Sequence, residues 1–138
     1  MSSMKTAGYS GTPLHKKLGI KAGSRAWFSG APKGYESELE KAGGFQIAGQ
    51  LSKDLDFLHL FSRKRGELAE AFPRLKKAIK PDGIIWISWP KKSSGVETDL
   101  DENMVREIGL RAGLVDVKVC AVDETWSGLK FVFRLKDR

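Results

Sequence analysis

The chain has 138 residues, 41% of them hydrophobic, with one cysteine and 24 Lys or Arg against 17 Asp or Glu, a formal charge of +7. This length suits one domain around one core. The lone Cys120 excludes an internal disulfide framework and any multi-cysteine zinc site, and no apolar run approaches the roughly 20 residues of a membrane-spanning helix.

The opening residues Met1-Ser-Ser-Met-Lys-Thr-Ala-Gly8 lack the apolar stretch of a secretory signal, so a cytoplasmic protein is expected. Residues 1–11 read as a flexible arm, small and polar, ahead of one α/β domain over 12–138. Thr12-Pro13 marks a helix start, threonine as cap and proline at the first helical position, and Gly19 is placed to end that helix. A strand is expected over 24–29, a loop over 30–34, a helix over 36–42 and a second strand over 45–51. The third strand, 55–61, is apolar on both faces, so His59 within it is expected to be a hydrogen-bonded core residue, with a weaker second role as a base.

A helix over 63–79 follows, with Pro73 expected to kink or split it after Phe72. The turn Pro81-Asp82-Gly83 leads into a fourth strand over 83–89. Thr98-Asp-Leu-Asp101 resembles a capping box with aspartate for glutamate, opening a helix over 99–112 whose buried face is Leu100, Met104, Val105, Ile108 and Ala112. A fifth strand over 114–122 would put Cys120 on the same side as Asp116 and Lys118. The loop 123–128 and a final strand over 129–135 complete a hairpin.

Strands alternating with helices through right-handed crossovers predict a three-layer α/β sandwich. Its Rossmann-like, mostly parallel sheet would have about six strands and end in an antiparallel hairpin. In such sheets ligands collect beyond the carboxyl ends of the strands. That rule selects the loops 29–35, 62–64, 90–97 and 123–128, which bring Gly30, Lys33, Gly34, Arg63, Lys91, Lys92, Ser93, Asp123, Glu124 and Trp126 to one edge. Paired lysines beside hydroxyls and backbone amides suit a phosphate or carboxylate. Asp123 or Glu124 would be the base of any catalysis there, although both equally suit ion pairing with Lys91 or Lys92, and Trp126 equally suits capping the core.

Seven cations between Arg63 and Lys80 face Glu67 and Glu70 around the apolar stripe Leu68, Phe72, Leu75 and Ile79. The ordinary reading is a solvated helix exterior; the sharper one is a docking face for nucleic acid, which the absence of interleaved aromatics disfavours. His15 is expected to be exposed and Cys120 to be inert packing, and two histidines with one cysteine make no metal cluster.

Leu18-Gly-Ile-Lys-Ala-Gly-Ser-Arg25 before a strand, the helix ending Leu75-Lys-Lys-Ala-Ile-Lys-Pro-Asp-Gly83 and the terminal hairpin together resemble class I methyltransferases. The family's acidic residue and Gly-x-Gly-x-Gly are replaced here by Phe28-Ser-Gly-Ala-Pro-Lys-Gly34, its ribose-binding acid by Gly49-Gln50, and its Asn-Pro-Pro-Tyr-like motif by Ser62-Arg63-Lys64. With Pro32 fixing the backbone between Gly30 and Gly34, the residues are read as holding no cofactor, S-adenosylmethionine being the one such an altered loop would have to admit.

Almost the whole chain is similar to an uncharacterised bacterial family, domain of unknown function 3052. The matching segments are Gly8-Tyr-Ser-Gly-Thr-Pro-Leu14, Lys17-Leu-Gly-Ile20, Trp89-Pro-Lys-Lys-Ser93 and the run from Leu114 to Lys130. That resemblance carries no activity. The functional expectation is therefore a noncatalytic binding or regulatory domain that recognises a small anion or an acidic partner through Lys33, Arg63, Lys91 and Lys92. The alternative is a divergent methyltransferase with Gly30 to Gly34 cradling its cofactor, and the third reading is nucleic-acid binding through the basic helix.

Overall fold

The computed structural model describes residues 11–138; the arm expected at 1–11 lies, apart from Gly11, outside the described residues. In chain order the main elements are α1 (Leu14–Leu18), β1 (Arg25–Ser29), α2 (Tyr35–Leu39), β2 (Gln46–Ile47), β3 (Leu55–Phe61), α3 (Arg65–Ala78), β4 (Ile79–Pro90), α4 (Glu102–Arg111), β5 (Leu114–Ala121) and β6 (Trp126–Phe133). The six strands form one sheet in the order β2-β1-β3-β4-β6-β5. Pairing is parallel from β2 through β4, and β6 runs antiparallel to both β4 and β5.

Helices cover both faces. Leu68, Phe72 and Leu75 of α3 and Val105 of α4 pack with Leu58, Ile85, Leu129 and Phe131 on one side of the sheet. Leu14 and Leu18 of α1 and Tyr35 and Leu39 of α2 pack with Phe57, Phe61 and Trp86 on the other. The Trp86 indole, fully buried, donates to the Leu18 carbonyl at 2.8 Å, which satisfies its N–H and ties α1 to the central strand. Among the described residues no helix is long and apolar enough to cross a membrane.

Several local expectations are corrected. Pro13 itself, not Thr12, is the residue before α1. The second strand is only two residues long and its residues are exposed. Pro73 lies inside α3 without splitting it, because Leu68, Phe72, Leu75 and Ala78 bury one continuous face around it. The Pro81-Asp82-Gly83 turn is part of β4: Leu55 pairs with Ile79 but Phe57 with Ile84, so the residues between leave the ladder as a bulge. Lys80 meets Asp56 there at 3.0 Å, and Asp56 also accepts from the Arg25 amide at 2.9 Å, so one carboxylate braces three strands.

At α4 the capping residue is Asp101, whose carboxylate accepts from the Met104 amide at 2.8 Å. Thr98 instead donates to the Arg63 carbonyl at 2.7 Å. Gly109 joins Val105 in the core because Phe131 presses on it; a Cβ at Gly109 would sit 2.5 Å from the ring Cζ. A register shift between Asp116 and Lys118 breaks the expected alternation in β5. Asp116 therefore faces Arg106 of α4 at 2.8 Å, whereas Cys120 packs among the residues of the opposite face.

Candidate functional site

At the carboxyl edge, β1 and β3 end side by side. Gly30 follows β1 with φ of +73°, and a Cβ there would lie 2.9 Å from the Phe61 carbonyl oxygen. The missing side chain thus admits the end of β3, which draws the two strands together and opens a cleft above them. Past β3 the Ser62 amide donates to the Ser88 carbonyl at 2.9 Å. The next residue is strapped down from outside: its carbonyl accepts from Thr98 Oγ1, while the Asp99 carboxylate accepts from the Arg65 amide at 2.7 Å. This fixes the backbone of Arg63 and Lys64 and leaves their side chains exposed.

The opposite wall comes from the β5–β6 turn. Asp123 Oδ1 accepts from the amides of Thr125 and Trp126, each at 2.8 Å, an Asx-type turn that sets the start of β6. The Trp126 ring then meets Phe61 edge to face with centroids 5.2 Å apart. Between these walls lies a cleft of about 890 Å³, lined by Ser29, Gly30, Leu60, Phe61, Ser62, Arg63, Lys64, Glu67, Glu70, Ala71, Arg74, Val96, Thr125 and Trp126. Three cations and two carboxylates thus surround an aromatic floor, and among the described residues none of these five forms an ion pair within 4.0 Å.

Beneath the floor is a buried polar chain. Tyr35 Oη lies 2.5 Å from His59 Nδ1, and His59 Nε2 lies 2.7 Å from Ser88 Oγ, with all three residues fully buried. Burial holds the imidazole well below its usual range and the Tyr35 hydroxyl well above its own. A neutral imidazole carries one proton, so it donates in one of these bonds and accepts in the other. Phe61 stacks on it at 4.1 Å and shields it from the cleft. His59 is thus the hydrogen-bonded core residue, and its role is to tie α2, β3 and β4 together under the site.

Of the residues expected at this edge, Gly30, Arg63 and Trp126 are brought together in the cleft, while Lys33, Gly34, Lys91, Lys92, Ser93, Asp123 and Glu124 do not line it. Gly34, with φ of +87° and open space around its Cα, precedes α2. The Lys91 amide donates to the Thr125 carbonyl at 2.8 Å, so the 90–97 loop braces the β5–β6 turn. Sequence reading missed Glu67, Glu70, Ala71 and Arg74. Their i, i+3, i+4, i+7 spacing is the available signal, since it puts all four on one face of α3. His15 is half-buried rather than exposed, with Nδ1 sequestered and unpartnered. Among the described residues no cluster of His, Cys, Asp and Glu could hold a metal ion.

No family model and no curated protein matches the chain in sequence. Solved structures do match its fold. A SAM-dependent methyltransferase from Aquifex aeolicus superimposes with a TM-score of 0.63 at 16% identity, over 84% of this chain and 85% of that one. Magnesium protoporphyrin IX methyltransferase from Synechocystis PCC 6803, solved with bound SAH, gives a TM-score of 0.57 at 12% identity over 82% and 75% of the two chains. A TehB-like SAM-dependent methyltransferase from Corynebacterium glutamicum gives 0.56 at 10% identity over 88% of each. At such identities the likeness establishes the fold: a methyltransferase-like Rossmann sheet. The expectation that the chain takes no cofactor is corrected, since solved structures of this fold include a SAM-dependent methyltransferase and one holding SAH at the fold.

The cleft suits such a group in size and lining. Its volume of about 890 Å³ lies at the upper end of the roughly 300–1,000 Å³ of small-molecule sites. Its mixture of aromatic faces, hydroxyls and both signs of charge matches a zwitterionic nucleoside. The carboxylate of the family pattern has no counterpart at the end of β2, where Gly49-Gln50 stand.

Proposed function

We propose that the chain is a divergent S-adenosylmethionine-dependent methyltransferase-like enzyme whose donor and acceptor meet in the carboxyl-edge cleft. The observation that carries the reading is the position of that cleft, above the adjoining ends of β1 and β3, the edge at which ligands collect in open α/β sheets. When bound, the donor supplies an electrophilic methyl group on a sulfonium.

The chain's own residues bind and orient. Trp126 and Phe61 offer aromatic surface to a base or an acceptor ring. Arg63 and Lys64 offer charge to a carboxylate, and Ser29 and Ser62 offer hydroxyls. Glu67 and Glu70 are carboxylates in reach of the cleft that could take a proton from an acceptor. We assign them that role ahead of Asp123, whose carboxylate already holds two backbone amides. Lys33, Gly34, Lys91, Lys92 and Ser93, which do not line the cleft, are given no part in this reading. No family model supports the expected resemblance to domain of unknown function 3052, which carries no activity of its own and leaves this reading unchanged.

Calorimetric titration of the whole chain with S-adenosylmethionine and with its demethylated product tests the proposal. Binding of both, weakened at least tenfold in Trp126→Ala and Arg63→Ala, supports it; a hydrogen bond to a charged group is worth about 1.5–3 kcal/mol. No heat and no thermal shift with either compound at millimolar concentration refutes it.

A further inference from the structure

A second feature lies on the α1 face of the β5–β6 hairpin, outside the cleft. Lys118 of β5 and Lys130 of β6 are directly opposite each other in the antiparallel ladder. Like charges at such a position are destabilising, since their Cβ atoms stand about 5 Å apart. Lys21, just beyond α1, adds a third positive charge. Lys118 and Lys21 together act on the half-buried Lys130, whose ammonium burial and these neighbours hold below its usual range.

The C-terminal carbonyls of α1 account for one of these cations. Lys118 Nζ donates to the Lys17 carbonyl at 2.9 Å, and a cation at a helix C-terminus is ordinary. They do not account for two opposed lysines and a third nearby. Among the described residues, none of Lys21, Lys118 and Lys130 forms a salt bridge. Of the carboxylates at the neighbouring amino edge, Asp56 pairs with Lys80, and Asp56 and Asp82 line a surface pocket with Lys21 without an ion pair to it. A hairpin that keeps such a pair with no carboxylate paired to either member breaks a local rule of sheet design, and such violations gather at functional sites.

We propose that Lys21, Lys118 and Lys130 form a site for a phosphate-bearing ligand. Ammonium groups are compact, strongly hydrated point charges, suited to a chain of phosphates rather than to the fork geometry of one carboxylate. The site is independent of the carboxyl-edge cleft, whose lining includes none of the three. The ligand chemistry is that of linked phosphates, found free in polyphosphates and in the backbone of nucleic acid.

The test titrates the whole chain with inorganic tripolyphosphate and with a single-stranded RNA oligonucleotide at several salt concentrations, alongside Lys118→Gln and Lys130→Gln. Two readouts are expected together. Each variant loses about tenfold in affinity for the probe that binds, and the slope of log K against log salt falls by roughly 0.7–0.9 per lysine removed. Without ligand Lys130→Gln melts at a higher temperature than the parent, because the repulsion is gone while the Lys118–Lys17 hydrogen bond is kept. Binding of both probes identifies a general polyphosphate site, and binding of the oligonucleotide alone identifies nucleic acid as the source. Absence of binding to either probe, or unchanged affinity in both variants, overturns the proposal.

Discussion

Lowering the pH should destabilise the fold through His59, by an amount the buried chain sets. The imidazole is fully buried between Tyr35 and Ser88, and burial holds its folded-state value well below 6.5. The unfolded chain returns it to about 6.5. As pH falls through that value the unfolded state takes up a proton that the folded state refuses, so stability falls with acid. With the folded imidazole neutral throughout, the loss between pH 7.0 and 5.5 is roughly 1.3 kcal/mol, approaching about 1.4 kcal/mol for each further unit. Asp56 does not blur this window. Burial would raise its carboxyl, but the Arg25 amide and Lys80 hold it below its usual 3.8, so its contribution is lost only in stronger acid. Urea denaturation at the two pH values measures the difference, and His59→Gln should abolish most of it. A flat profile in the parent chain, or an equal slope in His59→Gln, would refute the reasoning. If that variant fails to fold, an NMR titration of the parent imidazole decides, and a value near 6.5 would be equally fatal.

Two alanine substitutions at helical glycines should move stability in opposite directions. Gly109→Ala places a Cβ 2.5 Å from Cζ and 2.7 Å from Cδ1 of Phe131, a buried ring already packed on Phe72. The helix gains up to about 1 kcal/mol in propensity but loses about 1–3 kcal/mol or more to overpacking, so a lower melting temperature is expected. Gly66→Ala meets nothing within 4 Å and should raise it by the propensity term alone. Asp101→Ala removes the acceptor of the Met104 amide and should cost about 1 kcal/mol in urea denaturation, more than Asp101→Asn. Tyr35→Phe deprives a buried imidazole nitrogen of its partner and should cost about 1–3 kcal/mol. A melting temperature unchanged by Tyr35→Phe would mean that His59 and Ser88 satisfy themselves without it.

Much of the fold was legible because its signals are local. The apolar run that became β3 and the stripe of Leu68, Phe72 and Leu75 each report the face a residue buries, and that depends on periodicity alone. Those segments, with the crossover rule, were enough for a mostly parallel sheet ending in a hairpin, and the ligand-edge rule reached Gly30, Arg63 and Trp126. What escaped depends on groups far apart in sequence. The shift in β5 that separates Asp116 from Cys120, the extra residues β4 carries at Pro81, and the handing of the α4 cap from Thr98 to Asp101 are settled by which neighbour each backbone group meets. The partners of His59 come from α2 and β4, and Lys118 opposes Lys130 only because the hairpin register places them so. Periodicity is a property of one segment, whereas register, hydrogen-bond partners and the convergence of charge belong to pairs of segments, and only the tertiary structure brings those pairs together.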